Sequence, residues 1–176
     1  YGGALARDGR PTTPMTLLVT GGAGFIGANF VHYWLQNHAD DRVVVLDKLT
    51  YAGNAANLAP FKDDPRLTFV HGDICDRALV DGLLRNEAIA TVVHFAAETH
   101  VDRSLRAASE FVQTNVAGTL TLLEAARDYG QLARFHHIST DEVFGAIGEH
   151  EERAFDEHTP YAPRNPYSAT KAASDH

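Results

Sequence analysis

The sequence is poor in several things at once. One cysteine, one methionine and one tryptophan occur among 176 residues. A single thiol, Cys75, excludes an intrachain disulfide and a cysteine-based metal cluster, and it fits a reducing, cytoplasmic setting. No apolar run approaches the roughly 20 residues that span a bilayer as a helix. Positive charge is also scarce: 15 Lys and Arg stand against 23 Asp and Glu, for a formal net charge of −8. That balance argues against nucleic acid or an anionic membrane as the main partner. An anionic ligand would therefore need a helix N-terminus or a few chosen cations. Repeats and low-complexity segments are missing. Residues 1–14, with Gly2, Gly3, Pro11 and Pro14, lack the apolar stretch of a secretory signal. They read as a disordered tail ahead of the sole methionine, Met15, which is the expected native start.

What remains is the composition of a globular chain, 44% hydrophobic and 22% charged, long enough for one domain with a real core. Strands are expected over Thr16–Thr20, Arg42–Leu46, Arg66–His71, Thr91–Phe95 and Arg134–Ser139, as short apolar runs of the kind buried on both faces of a sheet. Helical spacing appears over 25–38, with Phe25, Ile26, Phe30, Val31 and Trp34 as its apolar stripe. A second helix follows Asp76 as cap. The longest spans about 107–129, with Phe111, Val112, Val116, Leu120, Leu123 and Ala126 turned inward and Gly130 as its stop. Asn165-Pro166 opens a last helix, Asn as N-cap and Pro at the first helical position. The alternation of strand and helix predicts an α/β, Rossmann-type doubly wound parallel sheet over residues 15–176 with right-handed crossovers. The chain ends one or two turns into the last helix, so the sheet is expected to be incomplete at its C-terminus.

The glycine pattern Gly21-x-x-Gly24-x-x-Gly27 stands between the first strand and the first helix, the context that makes it a dinucleotide-binding fingerprint. Gly21 suits the tight turn, Gly24 close approach of backbone to a pyrophosphate, and Gly27 close helix–strand packing. The helix N-terminus offers free N–H groups to phosphates. Asp47 ends the second strand, where a carboxylate accepts hydrogen bonds from both ribose hydroxyls of NAD and repels the 2′-phosphate of NADP. The neighbouring cation Lys48 would soften that discrimination. Asp73, Ile74, Phe95, Ala96 and Ala97 follow later strands at the same carboxyl edge, where such sheets bind ligands.

Two further groups suggest chemistry. Tyr167 and Lys171, four apart on a helix, share a face. An ammonium there favours the phenolate and would lower the tyrosine pKa, making Tyr167 a base. Thr140-Asp141-Glu142 follows the fifth strand, placing a hydroxyl and two carboxyls at the same edge. One carboxyl serves as acid and the other as base if their surroundings separate them. The ten histidines show no metal-ligand spacing, and adjacent His136 and His137 point to opposite faces of a strand, so no metal is expected. Glu149, Glu151, Glu152, Asp156 and Glu157 read as a solvated acidic loop. Cys75 is expected to pack near the sheet edge, and Gly118 to allow close packing of the long helix.

These motifs, together with Asp47-Lys-Leu-Thr-Tyr-Ala-Gly-Asn54, His94-Phe-Ala-Ala-Glu-Thr-His-Val-Asp-Arg-Ser104 and Thr114-Asn-Val-Ala-Gly-Thr119, resemble the extended short-chain dehydrogenase/reductase family. Within it they resemble the nucleotide-sugar 4,6-dehydratases that act on dTDP-glucose. The resemblance implies NAD held by Gly21, Gly24, Phe25, Ile26, Gly27, Asp47, Lys48, Leu49, Thr50, Asp73, Ile74, Phe95, Ala96, Ala97, Glu98, Thr99, Thr114, Tyr167 and Lys171, with Thr99 and Thr140 also at the substrate. It implies that Tyr167 takes the proton of the sugar 4-hydroxyl as hydride leaves C4, assisted by Thr140 and Lys171. Glu142 then removes the C5 proton, Asp141 protonates the departing 6-hydroxyl, and hydride returns to C6 to give a 4-keto-6-deoxy sugar. Related epimerases and decarboxylases tend to carry Ser, Thr or one acid in place of Asp141-Glu142. A nucleotide-sugar 4-epimerase therefore stays open as an alternative, as does, for the 176-residue chain by itself, a non-catalytic NAD-binding module. Phe144 departs from the tyrosine common in the family. The small domain that grips the nucleotide, and the usual homodimer built on the long helix and the Tyr167 helix, would depend on sequence beyond residue 176. Deleting residues 1–14 should leave the melting temperature and NAD affinity unchanged; a large loss of either would show that the tail belongs to the fold.

Overall fold

The computed structural model describes residues 14–148 and 154–176. The tail through residue 13, and Glu149, Glu151 and Glu152 of the acidic loop, lie outside the described residues. Five parallel strands, β1 (Thr16–Thr20), β2 (Arg42–Asp47), β3 (Leu67–His71), β4 (Thr91–His94) and β5 (Arg134–His137), form one sheet in the order β3-β2-β1-β4-β5. This is the strand order of a Rossmann-type half-fold. The strands match the expected segments to within one or two residues at their ends.

Alternation along the strands divides the core in two. Leu17, Val19, Val43, Val45 and Val93 face one side, where α1 (Phe25–Asn37) brings Ala28, Val31 and Leu35 and a 3-10 segment (Ala55–Phe61) brings Leu58. Leu18, Val44, Leu46 and Val92 face the other side, against Val80 and Leu84 of α2 (Arg77–Asn86) and Leu122 and Ala125 of α5 (Thr119–Tyr129). Full burial of each of the valines and leucines is worth about 1.5–3 kcal/mol. Covering both faces explains why the strands read as continuous apolar runs. α2 starts at the Asp76 cap, whose carboxylate accepts the Leu79 N–H at 3.0 Å. α5 stops at Gly130, whose φ of 67° is left-handed.

Two expected apolar stripes are corrected. Phe25 and Ile26 begin α1 but are 82% and 63% exposed; they stand at the mouth of the cavity described below. The expected single helix over 107–129 is a composite: α4 (Ala108–Phe111), a π-helical stretch (Val112–Gly118), then α5, with a short α3 (Val101–Ser104) before them. The wider π turn shifts the angular spacing, so Phe111, Asn115, Gly118, Thr119, Leu122 and Ala125 face inward, while Val112, Leu120 and Leu123 are exposed. Polar Asn115 and Thr119 can be buried because their polar atoms are paired. Gly118 permits the contact: a Cβ there would lie 2.5 Å from Ile74 Cδ1. α6 (Pro166–Asp175) opens with a reciprocal capping box between Asn165 and Ser168. Among the described residues, no helix is long and apolar enough to cross a membrane.

The revised helix face sets the expected stabilities. In denaturant unfolding, Phe111→Ala should cost about 3–5 kcal/mol, and Val112→Ala should stay within about 0.5 kcal/mol. A cost at Val112 of the size of a buried side chain would restore the stripe expected from periodicity.

Candidate functional site

The site begins at the turn after β1. Gly21 takes φ +70°, and a Cβ there would lie 2.6 Å from Ala96 N, so the turn fits only glycine. At Gly27 a Cβ would collide with the Gly21 carbonyl and lie 2.9 Å from Gly22 Cα, so this glycine seats α1 on the turn. Gly24 differs: its nearest neighbours would be Gly21 O at 3.3 Å and Ala52 O at 3.8 Å. Gly24 is also the N-cap of α1, without a side-chain cap and with no acid in the first turn. The first N–H groups of α1 therefore stay available at a positive helix end.

Asp47, at the end of β2, is buried. Its Oδ2 accepts the Ala23 N–H at 2.9 Å and its Oδ1 the Leu49 N–H at 2.8 Å. Each oxygen keeps a second lone pair for a ligand hydroxyl. The Ala23 carbonyl accepts from Asn54 N at 3.1 Å and Asn57 Nδ2 at 2.8 Å. Lys48 Nζ lies 2.7 Å from Asp73 Oδ2, beyond the neighbouring strand β3. Asp73 Oδ1 accepts the Cys75 N–H at 2.9 Å. The ion pair holds the Lys48 pKa above its usual value, and backbone and Lys48 hydrogen bonds outweigh burial to hold Asp73 below its own.

On the other side of β1, buried polar groups link strand to helix. Thr20 Oγ1 meets His94 Nδ1 at 2.7 Å, and His94 Nε2 meets Thr119 Oγ1 at 2.9 Å. The Thr119 hydroxyl donates to the Asn115 carbonyl. That hydroxyl proton is committed, which makes His94 Nε2 the donor and leaves Nδ1 to accept from Thr20. Burial drives the His94 pKa down to about 3, so the ring is neutral. The Asn115 side chain then pairs with both backbone groups of Glu98, at 2.8 and 2.9 Å, and donates to Thr170 Oγ1 on α6 at 3.0 Å. Glu98 is 7% exposed with Oε2 buried and unpartnered, and burial raises its pKa.

α6 brings Tyr167 and Lys171 to the same edge, both buried. Tyr167 packs edge-on against Phe111, ring centroids 6.5 Å apart. Its pKa is raised, chiefly by burial, with Thr140 opposing and the carboxylates of Glu142 and Asp141 adding to the rise. The expected lowering by Lys171 is not found: the Lys171 ammonium donates to the Ile138 carbonyl at 2.6 Å and approaches His137 Nε2 at 3.5 Å. Burial lowers the Lys171 pKa, against the attraction of Asp175. Thr140 caps a 3-10 turn (Asp141–Phe144) by accepting the Glu142 N–H at 3.3 Å, and Glu142 Oε2 accepts from Asn165 Nδ2 at 3.2 Å. The acids are thus tied to the start of the tyrosine helix.

A cavity of about 540 Å³ joins these parts. Gly21, Gly24, Phe25, Ile26, Gly27, Asp47, Lys48, Thr50, Asp73, Ile74, Phe95, Ala96, Ala97, Glu98, Thr99, Thr114, Tyr167 and Lys171 all line it. Leu49 does not: at φ 52° it turns back onto the α1 side of the core, and only its N–H serves, by holding Asp47. Thr140, Asp141 and Glu142 stand beside the wall, next to Ser139, rather than in it. Ala52, Gly53, Gly72, Ile138 and Ser139 also line the cavity without having been singled out in the sequence. Gly53 carried a signal, since it lies in the Tyr-Ala-Gly-Asn turn, and a Cβ there would lie 2.7 Å from Asp47 Oδ1. His137, outside the lining, faces Ser174, Asp175 and Lys171. Among the described residues no group of three or more His, Cys, Asp or Glu is placed to hold a metal. The volume, Gly24 in the cavity wall, the uncapped helix end and the lone pairs of Asp47 suit a dinucleotide.

The GDP-mannose 4,6 dehydratase family model matches residues 18–176. The chain is 58% identical over 161 residues to the low-salt glycan biosynthesis protein Agl12 of Haloferax volcanii, covering 92% of this chain and 50% of that protein. It is 55% identical to a dTDP-glucose 4,6-dehydratase of Mycobacterium tuberculosis, covering 92% of this chain and 47% of the relative. The crystal structure of the dTDP-glucose 4,6-dehydratase DesIV from Streptomyces venezuelae, with NAD bound, superposes with a TM-score of 0.85 at 54% identity, over 92% of this chain and 49% of that one. The chain spans about half the length of the curated relatives it matches. In spectrophotometric titration, the difference between the wild type and Tyr167→Phe should reveal a phenol that ionises above the ordinary tyrosine range near 10. A component ionising below that range would show that Lys171 controls Tyr167 after all.

Proposed function

The chain belongs to the GDP-mannose 4,6 dehydratase family, and from this we propose that the protein is an NAD-dependent dTDP-glucose 4,6-dehydratase of the cytoplasm. The observation that carries the reading is that Tyr167 and Lys171 line the same cavity as the glycine turn, Asp47 and Asp73, while Glu142, beside that wall, accepts from Asn165 at the start of the tyrosine helix. In this assignment the first amides of α1, at Phe25, Ile26 and Gly27, receive the pyrophosphate. Asp47 accepts the adenosine ribose hydroxyls, with Lys48 and Thr50 beside it and Leu49 contributing through its backbone. Asp73 and Ile74 flank the adenine. Phe95, Ala96, Ala97, Glu98, Thr99 and Thr114 form the wall on the β4 side, and Tyr167 and Lys171 hold the second ribose. When bound, NAD supplies the site that accepts hydride from the sugar and gives it back.

The protein's own residues do the rest. Tyr167 takes the proton of the sugar 4-hydroxyl, with Thr140 hydrogen-bonded at the same oxygen and Thr99 also at the sugar. Burial raises the Tyr167 pKa in the free chain, so this role calls for Lys171 to turn from the Ile138 carbonyl toward the phenol and oppose that rise. Glu142, steadied by Asn165, removes the C5 proton made acidic by the neighbouring ketone. Asp141 delivers a proton to the departing 6-hydroxyl. The exposed Val112, Leu120 and Leu123 are assigned to a homodimer contact.

The intact protein given dTDP-glucose should release the 4-keto-6-deoxy sugar nucleotide; epimerised product without dehydration would favour the 4-epimerase reading. Asp141→Asn combined with Glu142→Gln should slow elimination by at least about 10²-fold while hydride transfer to NAD persists. NAD binding, followed by Trp34 fluorescence or calorimetry, tests the cofactor assignment apart from turnover; binding with no turnover by the intact protein would favour a non-catalytic module.

A further inference from the structure

Lys48 follows Asp47 directly and both line the cavity, so Lys48 is the cation next in sequence to the carboxylate assigned to the adenosine ribose. It is not free to serve. Lys48 Nζ is paired with Asp73 Oδ2 at 2.7 Å, although the lysine side chain is 57% exposed and has solvent open to it. Both ends of the pair are anchored. The Lys48 carbonyl contacts His71 Nε2 at 3.1 Å, and Asp73 Oδ1 accepts the Cys75 N–H at 2.9 Å. The register of β2 and β3, with Asp47 opposite His71, brings the two strand ends side by side. Asp47, Lys48 and Asp73 line one wall of the cavity. Their charges sum to −1, whereas Asp47 and Lys48 alone would sum to zero.

We propose that Asp73 is a specificity-determining residue: by engaging Lys48 it withholds the cation that a 2′-phosphate needs and leaves that wall anionic, so that NADP is refused twice, once by Asp47 and once by the neutralised lysine. The inference rests on the dinucleotide reading of the cavity and extends it from which cofactor fits to what keeps the competing one out. A charge-assisted contact between an ammonium and a phosphate is strong only when the ammonium is not already paired.

The test is a titration of the intact protein with NAD and with NADP, read by calorimetry as the ratio of the two dissociation constants. Asp73→Asn should lower the NADP-to-NAD ratio by about two- to fivefold, the scale expected of one partly exposed ionic contact. Adding Lys48→Met to Asp73→Asn should return the ratio toward that of the wild type. Asp73→Ser, whose hydroxyl still accepts the Cys75 N–H, provides the same measurement if the amide disturbs the turn. A ratio unmoved in both Asp73 variants, or a fall that survives Lys48→Met, overturns the proposal. Failure of the wild type to bind either dinucleotide would instead overturn the cofactor reading on which the proposal stands.

Discussion

The Ala23 peptide is the point on which the cavity depends. Its N–H is held by the Asp47 carboxylate, and its carbonyl is held by Asn54 and Asn57. Gly21 N donates to the Leu46 carbonyl, which ties the same turn to β2. The turn after β1 is therefore fixed from the side by its neighbour strand and by the irregular segment after that strand. Asp47 has two tasks, to brace the turn and to present lone pairs to a ligand. A buried carboxylate receiving two N–H groups satisfies the requirement for pairing.

A second constraint runs through the interior from β1 to α6. Thr20, His94, Thr119, Asn115 and Thr170 form an unbroken series of hydrogen bonds, and Thr170 donates in turn to the Tyr167 carbonyl. The series couples the register of the glycine turn to that of the tyrosine helix. It needs Asn115 and Thr119 on the inner face of the long helix, and the π-helical turn puts them there. Single-turn π segments are rare and concentrate at functional sites; here the widened turn also puts Thr114 into the cavity wall.

Much of this was readable from residue order because few physical rules compete there. Runs such as Arg42–Leu46 can only be strands buried on both faces, and Asn165-Pro166 can hardly be anything but a helix start. The glycine spacing, Asp47, Asp73 and the Phe95–Thr99 segment all reach one cavity, because strands of a parallel sheet deliver their ends to one edge. The misreadings share a cause: local pattern gave way to tertiary pairing. Leu49, which the family resemblance implies as a cofactor contact, adopts a left-handed backbone and packs its side chain toward the core. Phe25 and Ile26 fit a buried stripe by spacing but lie on the ligand side of α1. Periodicity assumes 3.6 residues per turn, which the π stretch violates with no marker in its composition. The proximity of Tyr167 and Lys171 along α6 suggested mutual influence, whereas the Ile138 carbonyl receives the ammonium.

The three glycines of the turn are not equivalent witnesses. Gly21 and Gly27 are demanded by the polypeptide itself: one by its backbone angle and the nearness of Ala96, the other by its contact with the turn. Any chain with this strand–turn–helix geometry would keep them whether or not it bound anything. Gly24 is the least crowded of the three: a Cβ there would meet the Gly21 carbonyl oxygen at 3.3 Å, so the neighbour would have to give only a few tenths of an ångström. When such a motif is met in an unfamiliar sequence, its outer glycines speak for the architecture, and the middle one speaks for the guest.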